Sequence, residues 1–185
     1  LAKITEKMNA EDEDMRLQWI VLKGQIYALG YDYVSAIELY NKMEKEYGEN
    51  VNTTYYRAQW YAEIDDYDRA IADMLKCVEE TAEKKVYPIM YLTSFYRQNG
   101  QFDEAIKWAS KLIDLIPADS FGYYVRGWCY ELKGNDTEAM KNYNAGIDVD
   151  KEYPYIYLMR GEQYLKRGDK EKANSDFEEI LKQDT

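Results

Sequence analysis

Gly127-Trp128-Cys129-Tyr130-Glu131-Leu132-Lys133-Gly134-Asn135-Asp136-Thr137-Glu138-Ala139-Met140 is the stretch that decides the fold. It reads as the end of one helix, a glycine turn and the start of a second helix. Gly127 is small and lies one turn ahead of Tyr130. Gly134 supplies a left-handed residue to close the first helix, Asp136 is placed to cap the next, and Ala139 opens its apolar face. The same arrangement recurs along the chain. Alanine followed by isoleucine or methionine stands at Ala36-Ile37, Ala70-Ile71, Ala105-Ile106 and Ala139-Met140, with a further alanine at Ala173, giving intervals of 34, 35, 34 and 34 residues. Nine residues before each alanine is a tyrosine: Tyr27, Tyr61, Tyr96, Tyr130 and Tyr164. Three residues before each tyrosine is a small side chain: Gly24, Ala58, Thr93, Gly127 and Gly161. A fixed period of this length marks stacked supersecondary units.

Each unit reads as a pair of antiparallel helices. Small residues in the Gly24 and Ala36 columns let two backbones approach, and the Tyr27 column is expected to fill the space between them. Gly30, Gly100, Gly134 and Gly168 are expected to end the first helices, with Asp65-Asp66 in that role in the second unit. Asp32, Asp66, Asp103, Asp136 and Asp169 are expected to cap the second helices. Tyr40, Met74, Tyr143 and Phe177 complete the apolar face four residues after each alanine, and Ala109 is the exception. Pro88 and Pro154 fall in the first turn of a first helix and Pro117 just past a second one, where proline is tolerated. Strand patterning is absent.

These columns resemble the tetratricopeptide repeat (TPR), whose pattern is large–Leu–Gly–Tyr in the first helix and Ala–Phe–Ala–Pro in the second. The resemblance covers residues 17–185 as one array with units 17–50, 51–85, 86–119, 120–153 and 154–185. It implies an all-α fold, a right-handed superhelical solenoid of antiparallel helix pairs. Residues 1–16 are expected to form a helix of a preceding partial repeat, which makes the sequence a slice of a longer array. Lys23, Arg57, Arg126 and Arg160 replace the usual leucine before the small residue, and a structural ion pair with an acid of a neighbouring repeat is the expected reason. At the other end Phe177, Ile180 and Leu181 are expected to be poorly covered, which makes a homodimer or end-to-end packing through the terminal helices an expected contact.

Composition narrows the function classes. A net charge of −11 would repel a phosphate backbone or an anionic membrane surface, so nucleic acid is not an expected partner. No run approaches the roughly 20 apolar residues that span a bilayer. The absence of histidine removes Ser-His-Asp and Cys-His catalysis and the commonest zinc ligand. Cys77 and Cys129 lack metal-ligand spacing and are expected to be buried small hydrophobes, which favours a reducing, cytoplasmic setting. No catalytic residue, metal or cofactor is expected, and Glu131 and Glu162 read as ordinary acids rather than a catalytic pair.

What the resemblance implies about function is binding of another protein or peptide. In the family, first helices line a concave groove and positions 2, 5, 6, 9 and 12 of each repeat face the ligand. The first repeat then contributes Gln18, Val21, Leu22, Gln25 and Ala28, and later repeats contribute Asn52, Ala62, Arg97, Val125, Glu131, Leu158, Met159, Glu162 and Leu165. The candidate partner-binding residues are Tyr55, Tyr56, Gln59, Tyr87, Met90, Tyr91, Ser94, Phe121, Tyr124, Trp128 and Tyr155. Tyrosine, tryptophan and methionine are the side chains enriched in interface hot spots and adaptable surfaces. The alternative for Tyr55 and Tyr124 is packing between adjacent repeats. The carboxylate clamp of chaperone-binding relatives is missing, since Tyr55, Gln59, Tyr91, Phe121 and Val125 occupy its slots. A scaffold without chemistry is therefore the leading expectation. A peptide-sensing regulatory receptor, or an accessory domain of a larger enzyme or membrane-associated protein, is the alternative.

Overall fold

A computed structural model describes residues 13–80 and 86–183, and all of its regular structure is α-helical. In chain order the helices are α1 (Glu13–Leu29), α2 (Tyr33–Tyr47), α3 (Val51–Glu63), α4 (Tyr67–Glu80), α5 (Val86–Gln98), α6 (Phe102–Leu115), α7 (Phe121–Leu132), α8 (Asp136–Val149), α9 (Pro154–Lys166) and α10 (Lys170–Gln183). The chain divides into two compact units, residues 1–88 and 89–185, with the division in the first turn of α5. In the first unit α1 packs on α2, α2 on α3, α3 on α4, and α1 also touches α3. In the second, α6 packs on α7, α7 on α8, α8 on α9, α9 on α10, and α7 touches α9. Glu13–Arg16 are continuous with α1, so those residues belong to the first repeat's own helix rather than to an earlier one. The remainder of the expected preceding helix lies outside the described residues.

The turn inside each repeat is built the same way five times. The backbone N–H after the turn donates to the carbonyl of the repeat's tyrosine: Asp32 to Tyr27 at 3.0 Å, Asp66 to Tyr61 at 2.8 Å, Gln101 to Tyr96 at 2.8 Å, Asn135 to Tyr130 at 2.8 Å and Asp169 to Tyr164 at 2.9 Å. That bond closes a Schellman-type helix end and requires one left-handed residue before it. Gly100, Gly134 and Gly168 fill that place with φ of 72°, 75° and 79°. In the first unit the left-handed residues are Tyr31 and Asp65, each with φ 59°, so the expectation holds at Asp65 and fails at Gly30. Gly30 sits one residue too early to serve. The caps shift too. Asp32, Asp66 and Asp169 accept from the backbone N–H three residues on, but Asn135 performs this role ahead of α8, and Gln101 ahead of α6 makes no side-chain cap. Asp103 and Asp136 lie inside the first turns, where their charge still suits the helix N-terminus.

Between the paired helices, the tyrosine of the first helix is not the main filler. Tyr27, Tyr130 and Tyr164 are only half-buried. The space is taken by the residue four after the alanine, and its size is matched to the small residue opposite. A Cβ placed on Gly24 would meet Tyr40 at 2.5 Å, one on Gly127 would meet Tyr143 at 2.5 Å, and one on Gly161 would meet Phe177 at 2.5 Å. Where the first helix carries alanine (Ala58) the second carries methionine (Met74), and where it carries threonine (Thr93) the second carries alanine (Ala109). All four of these are fully buried. The buried hydroxyls are satisfied: Tyr40 donates to the Val21 carbonyl at 2.8 Å and Tyr143 to Glu131 Oε2 at 2.9 Å.

The basic column proves to be a set of stitches, and its partners differ from the expectation. Arg57 donates to Asp73 of its own repeat at 2.7 and 2.9 Å, and to Asn41 (2.9 Å) and Glu44 of the preceding second helix. Arg126 meets Asn142 at 2.6 Å and Ser110 at 3.1 Å. Arg160 meets Asp176 at 2.6 and 2.9 Å and Asn144 at 2.8 Å. For Arg57 and Arg160 the principal acid therefore belongs to the arginine's own repeat, whereas Arg126 meets an amide and a hydroxyl. The neighbouring repeat supplies an amide or hydroxyl, with the Glu44 carboxylate added for Arg57. Burial alone would lower the Arg57 pKa, but its carboxylate hydrogen bonds outweigh that and hold it above the ordinary value. Lys23 does something else and lies over the Tyr27 ring at 5.8 Å. At the last helix, Phe177 rests on Gly161 and Ile180 packs on the core, so only Leu181, 67% exposed, answers the expectation of uncovered surface.

Candidate functional site

In the first unit α1 and α3 lie side by side because each closes with a three-residue turn into its partner helix and α2 sits between them in sequence. Two adjoining clefts open along this pair and share Gln25 and Tyr56. The smaller, about 350 Å³, is lined by Gln18, Val21, Leu22, Asn52 and neighbours. The larger, about 440 Å³, is lined by Ala28, Leu29, Tyr33, Gln59, Trp60 and Glu63 in addition to the shared pair. The expected first-helix positions are thus brought together here, including the candidates Tyr56 and Gln59. Tyr55 stands beside Tyr56, edge to face with ring centroids 5.7 Å apart. Tyr56 stacks on Trp60 at 6.1 Å, and Trp60 packs against buried Tyr40 at 4.7 Å, which fixes the cleft floor. Trp60, Tyr33 and Glu63 were not among the sequence candidates. Tyr33 belongs to the second helix, so counting first-helix positions could not reach it.

The aromatic candidates of the second unit pack on one another. Tyr124 contacts Phe121 (6.3 Å), Trp128 (5.6 Å) and Tyr155 (6.3 Å), and Tyr153 joins at 5.5 Å from both Tyr124 and Tyr155. The Arg97 guanidinium covers the Trp128 ring at 3.8 Å. Burial raises the Tyr124 and Tyr153 hydroxyl pKa values, so these rings are neutral hydrogen-bonding groups. Tyr91 packs against buried Phe95 at 5.7 Å, with Met90 and Ser94 half-buried on the same helix. Tyr87 (68%) and Tyr155 (58%) are the most exposed candidates. Val125 and Met159, counted as groove positions from sequence, instead lie in the core at 1% and 9% exposure. Glu131 is held by Tyr143 and Lys166 rather than free to act beside Glu162.

Nothing in this geometry activates a nucleophile. Cys77 and Cys129 are buried and outside any disulfide, and burial pushes both thiols up to about 12. Among the described residues no helix is long and apolar enough to cross a membrane.

Comparison with known proteins gives a consistent picture. One tetratricopeptide-repeat model matches residues 94–119 and 122–153, and a second matches 155–184. The human mitochondrial import receptor subunit TOM70 is 23% identical over 135 residues, which is 71% of this chain and 22% of that protein. The TPR repeat-containing protein YpiA of Bacillus subtilis is 26% identical over 160 residues, 85% of this chain and 37% of that one. The chain thus spans well under half the length of the curated relatives it matches. Among solved structures, MamA (residue 41 to its end) from Desulfovibrio magneticus RS-1 superposes with a TM-score of 0.76 at 15% identity, covering 95% of this chain and 97% of that one. At that identity the likeness speaks to the fold, a helical repeat. With repeat models over residues 94–184, a repeat-containing relative and the same turn built five times, the chain carries tetratricopeptide repeats.

Proposed function

We propose that this chain is a protein-interaction scaffold that holds a segment of a partner on the exposed faces of its first helices and performs no chemistry itself. The observation that carries the reading is the pair of clefts along α1 and α3, with Tyr56 and Gln25 common to both. A tyrosine that stacks on a buried tryptophan is pre-positioned, so little side-chain entropy is lost when a partner covers it. The aromatic cluster around Tyr124 and Tyr155 offers a second contact area in the other unit. The absence of a carboxylate clamp sets the expected partner apart from a chaperone tail: Tyr55, Phe121 and Val125 stand where cations would be needed.

The test is affinity capture from a lysate of the source organism with the whole chain, with Tyr56→Ala, and with Tyr87→Ala/Tyr155→Ala. All three are first checked by circular dichroism. A partner kept by the unchanged chain and lost by Tyr56→Ala supports the first-unit face. Loss only with the double variant moves the site to the exposed tyrosines elsewhere. Equal recovery by all three rejects the first-helix faces. A second reading, a module of a longer receptor-type protein, is favoured by the coverage: this chain matches 22% of a protein that is itself an import receptor subunit.

A further inference from the structure

The larger cleft of the first unit has a chemical asymmetry. Its walls are apolar or amide-bearing, and among the described residues Glu63 is the sole charged side chain lining it. Tyr33 and Glu63 line the same end of the cleft, where burial first and the nearby Glu63 carboxylate second raise the Tyr33 hydroxyl pKa. That end also receives the C-termini of α1 and α3, at Leu29 and Glu63. The carbonyl ends of two helices converge there, neither helix carries a basic residue in its last turn, and both ends contribute partial negative charge. Asp65 and Asp66 follow directly in the turn, and the chain as a whole carries −11. Around this acidic end lie the tyrosine rings of Tyr33 and Tyr56, whose faces attract a cation.

The rim adds an apolar element held at a cost. Tyr31 is 82% exposed and Leu29 80% exposed. Tyr31 occupies the left-handed position with φ 59°, where the second unit uses Gly100, Gly134 and Gly168. A bulky residue in that conformation is strained, and the exposed ring recovers little through burial. Its recorded contact is edge-on to Tyr33 at 6.3 Å, at the cleft mouth.

Building on the scaffold reading above, we infer that this cleft selects a peptide segment in which a lysine or arginine stands next to an apolar residue. The cation sits at Glu63 between the two helix ends, and the apolar neighbour lies against Leu29 and Tyr31.

The experiment uses the whole chain, fluorescently labelled, on immobilised eight-residue peptide sublibraries. One central position is fixed as Lys, Gln, Glu or Leu, and the others are drawn from uncharged residues. At moderate salt the Lys sublibrary is expected to retain the protein about fivefold better than the Glu sublibrary, the factor that one exposed, well-placed ion pair supplies at its upper limit. Glu63→Gln should level the two, while Glu38→Gln, exposed on α2 and away from the cleft, should leave the preference intact. Tyr31→Gly should weaken retention of every sublibrary several-fold while raising the melting temperature, a pairing that a merely structural role for the ring does not produce. Equal retention of Lys, Gln, Glu and Leu sublibraries overturns the basic selection and leaves the scaffold reading standing. A Lys preference that survives Glu63→Gln assigns it to net charge and also overturns the inference. Unchanged retention by Tyr31→Gly removes the apolar half. No retention of any sublibrary counts against both this inference and the peptide-holding reading.

Discussion

The two compact units build the same helix pair from different chemistry. After each first helix, the first unit places Tyr31 and Asp65 in the left-handed position, while the second uses Gly100, Gly134 and Gly168. In the first unit the buried guanidinium of Arg57 faces two carboxylates, Asp73 and Glu44. In the second, Arg126 faces the neutral Asn142 and Ser110, while Arg160 keeps a carboxylate, Asp176. Ala58 opposite Met74 stands beside the Gly24–Tyr40 pairing of the same unit, which Gly127 and Tyr143 repeat in the other. The repeat geometry is thus specified by matched pairs, and no single column demands one residue type.

The largest effect should come from the arginines. Arg57→Met leaves buried Asp73 without its counter-charge, while Glu44 keeps Lys76 at 3.8 Å, and a loss of about 3–5 kcal/mol is expected. Arg126→Met leaves only an amide and a hydroxyl short of a donor, so about 1–3 kcal/mol is expected. Urea unfolding of the two variants reads the difference, and equal losses would refute the distinction between charged and neutral stitches. Glu44, held below its ordinary pKa first by the Arg57 hydrogen bond, adds a pH test. Its contribution is present above its unfolded value near 4.5 and disappears as pH falls through the lower folded value, so acid should narrow the gap between Arg57→Met and the unchanged chain.

Next in size is the matched pair across the helices. Gly127→Ala overpacks against Tyr143 and should cost about 1–3 kcal/mol despite alanine's better helix propensity. In a Tyr143→Met background, which copies Ala58 and Met74, the same substitution should be neutral or stabilising. A double-mutant cycle measures this, and additivity within roughly 0.5 kcal/mol would sink the pairing idea. The turns come third: Tyr31→Gly should gain about 1 kcal/mol and Gly134→Ala should lose about as much, read as opposite shifts in melting temperature. Smallest is the missing cap, where Gln101→Asn should add roughly 0.5–1 kcal/mol by supplying the acceptor that Asn135 supplies before α8. No gain in thermal unfolding would show that the α6 N-terminus is already satisfied.

Much of this was legible beforehand. The alanine and tyrosine columns place every helix pair, because small residues at a crossing and glycine at a helix end answer to local geometry. What the columns could not say is which side chain fills a gap that two could reach. Tyr27 and Tyr40 are both tyrosines near Gly24, and only packing reveals that Tyr40 takes the space. The arginine partners were written in the sequence, sixteen residues to either side, but recognising them requires knowing that such an offset crosses to a neighbouring helix. Of the candidate site, Tyr56 and Gln59 follow from first-helix counting. Tyr33 and Trp60 do not, since a cleft between helices draws on residues outside any one face.

Because the second helix α8 carries acceptors for two arginines, the order of the repeats is itself a chemical constraint. On α8, Asn142 serves Arg126 of its own repeat and Asn144 serves Arg160 of the next. The column of Asn41, Ser110 and Asn144 is occupied on α4 by Leu75, and the repeat that follows α4 has Leu92 where its siblings have arginine. Deleting residues 86–119 would bring Arg126 behind Leu75 and leave a guanidinium in the core without its upstream acceptor. Duplicating 120–153 in place would keep every arginine supplied only if the copied second helix brought its own Asn144. Repeats of this chain are therefore not interchangeable beads: each carries on its trailing helix the requirement for its successor.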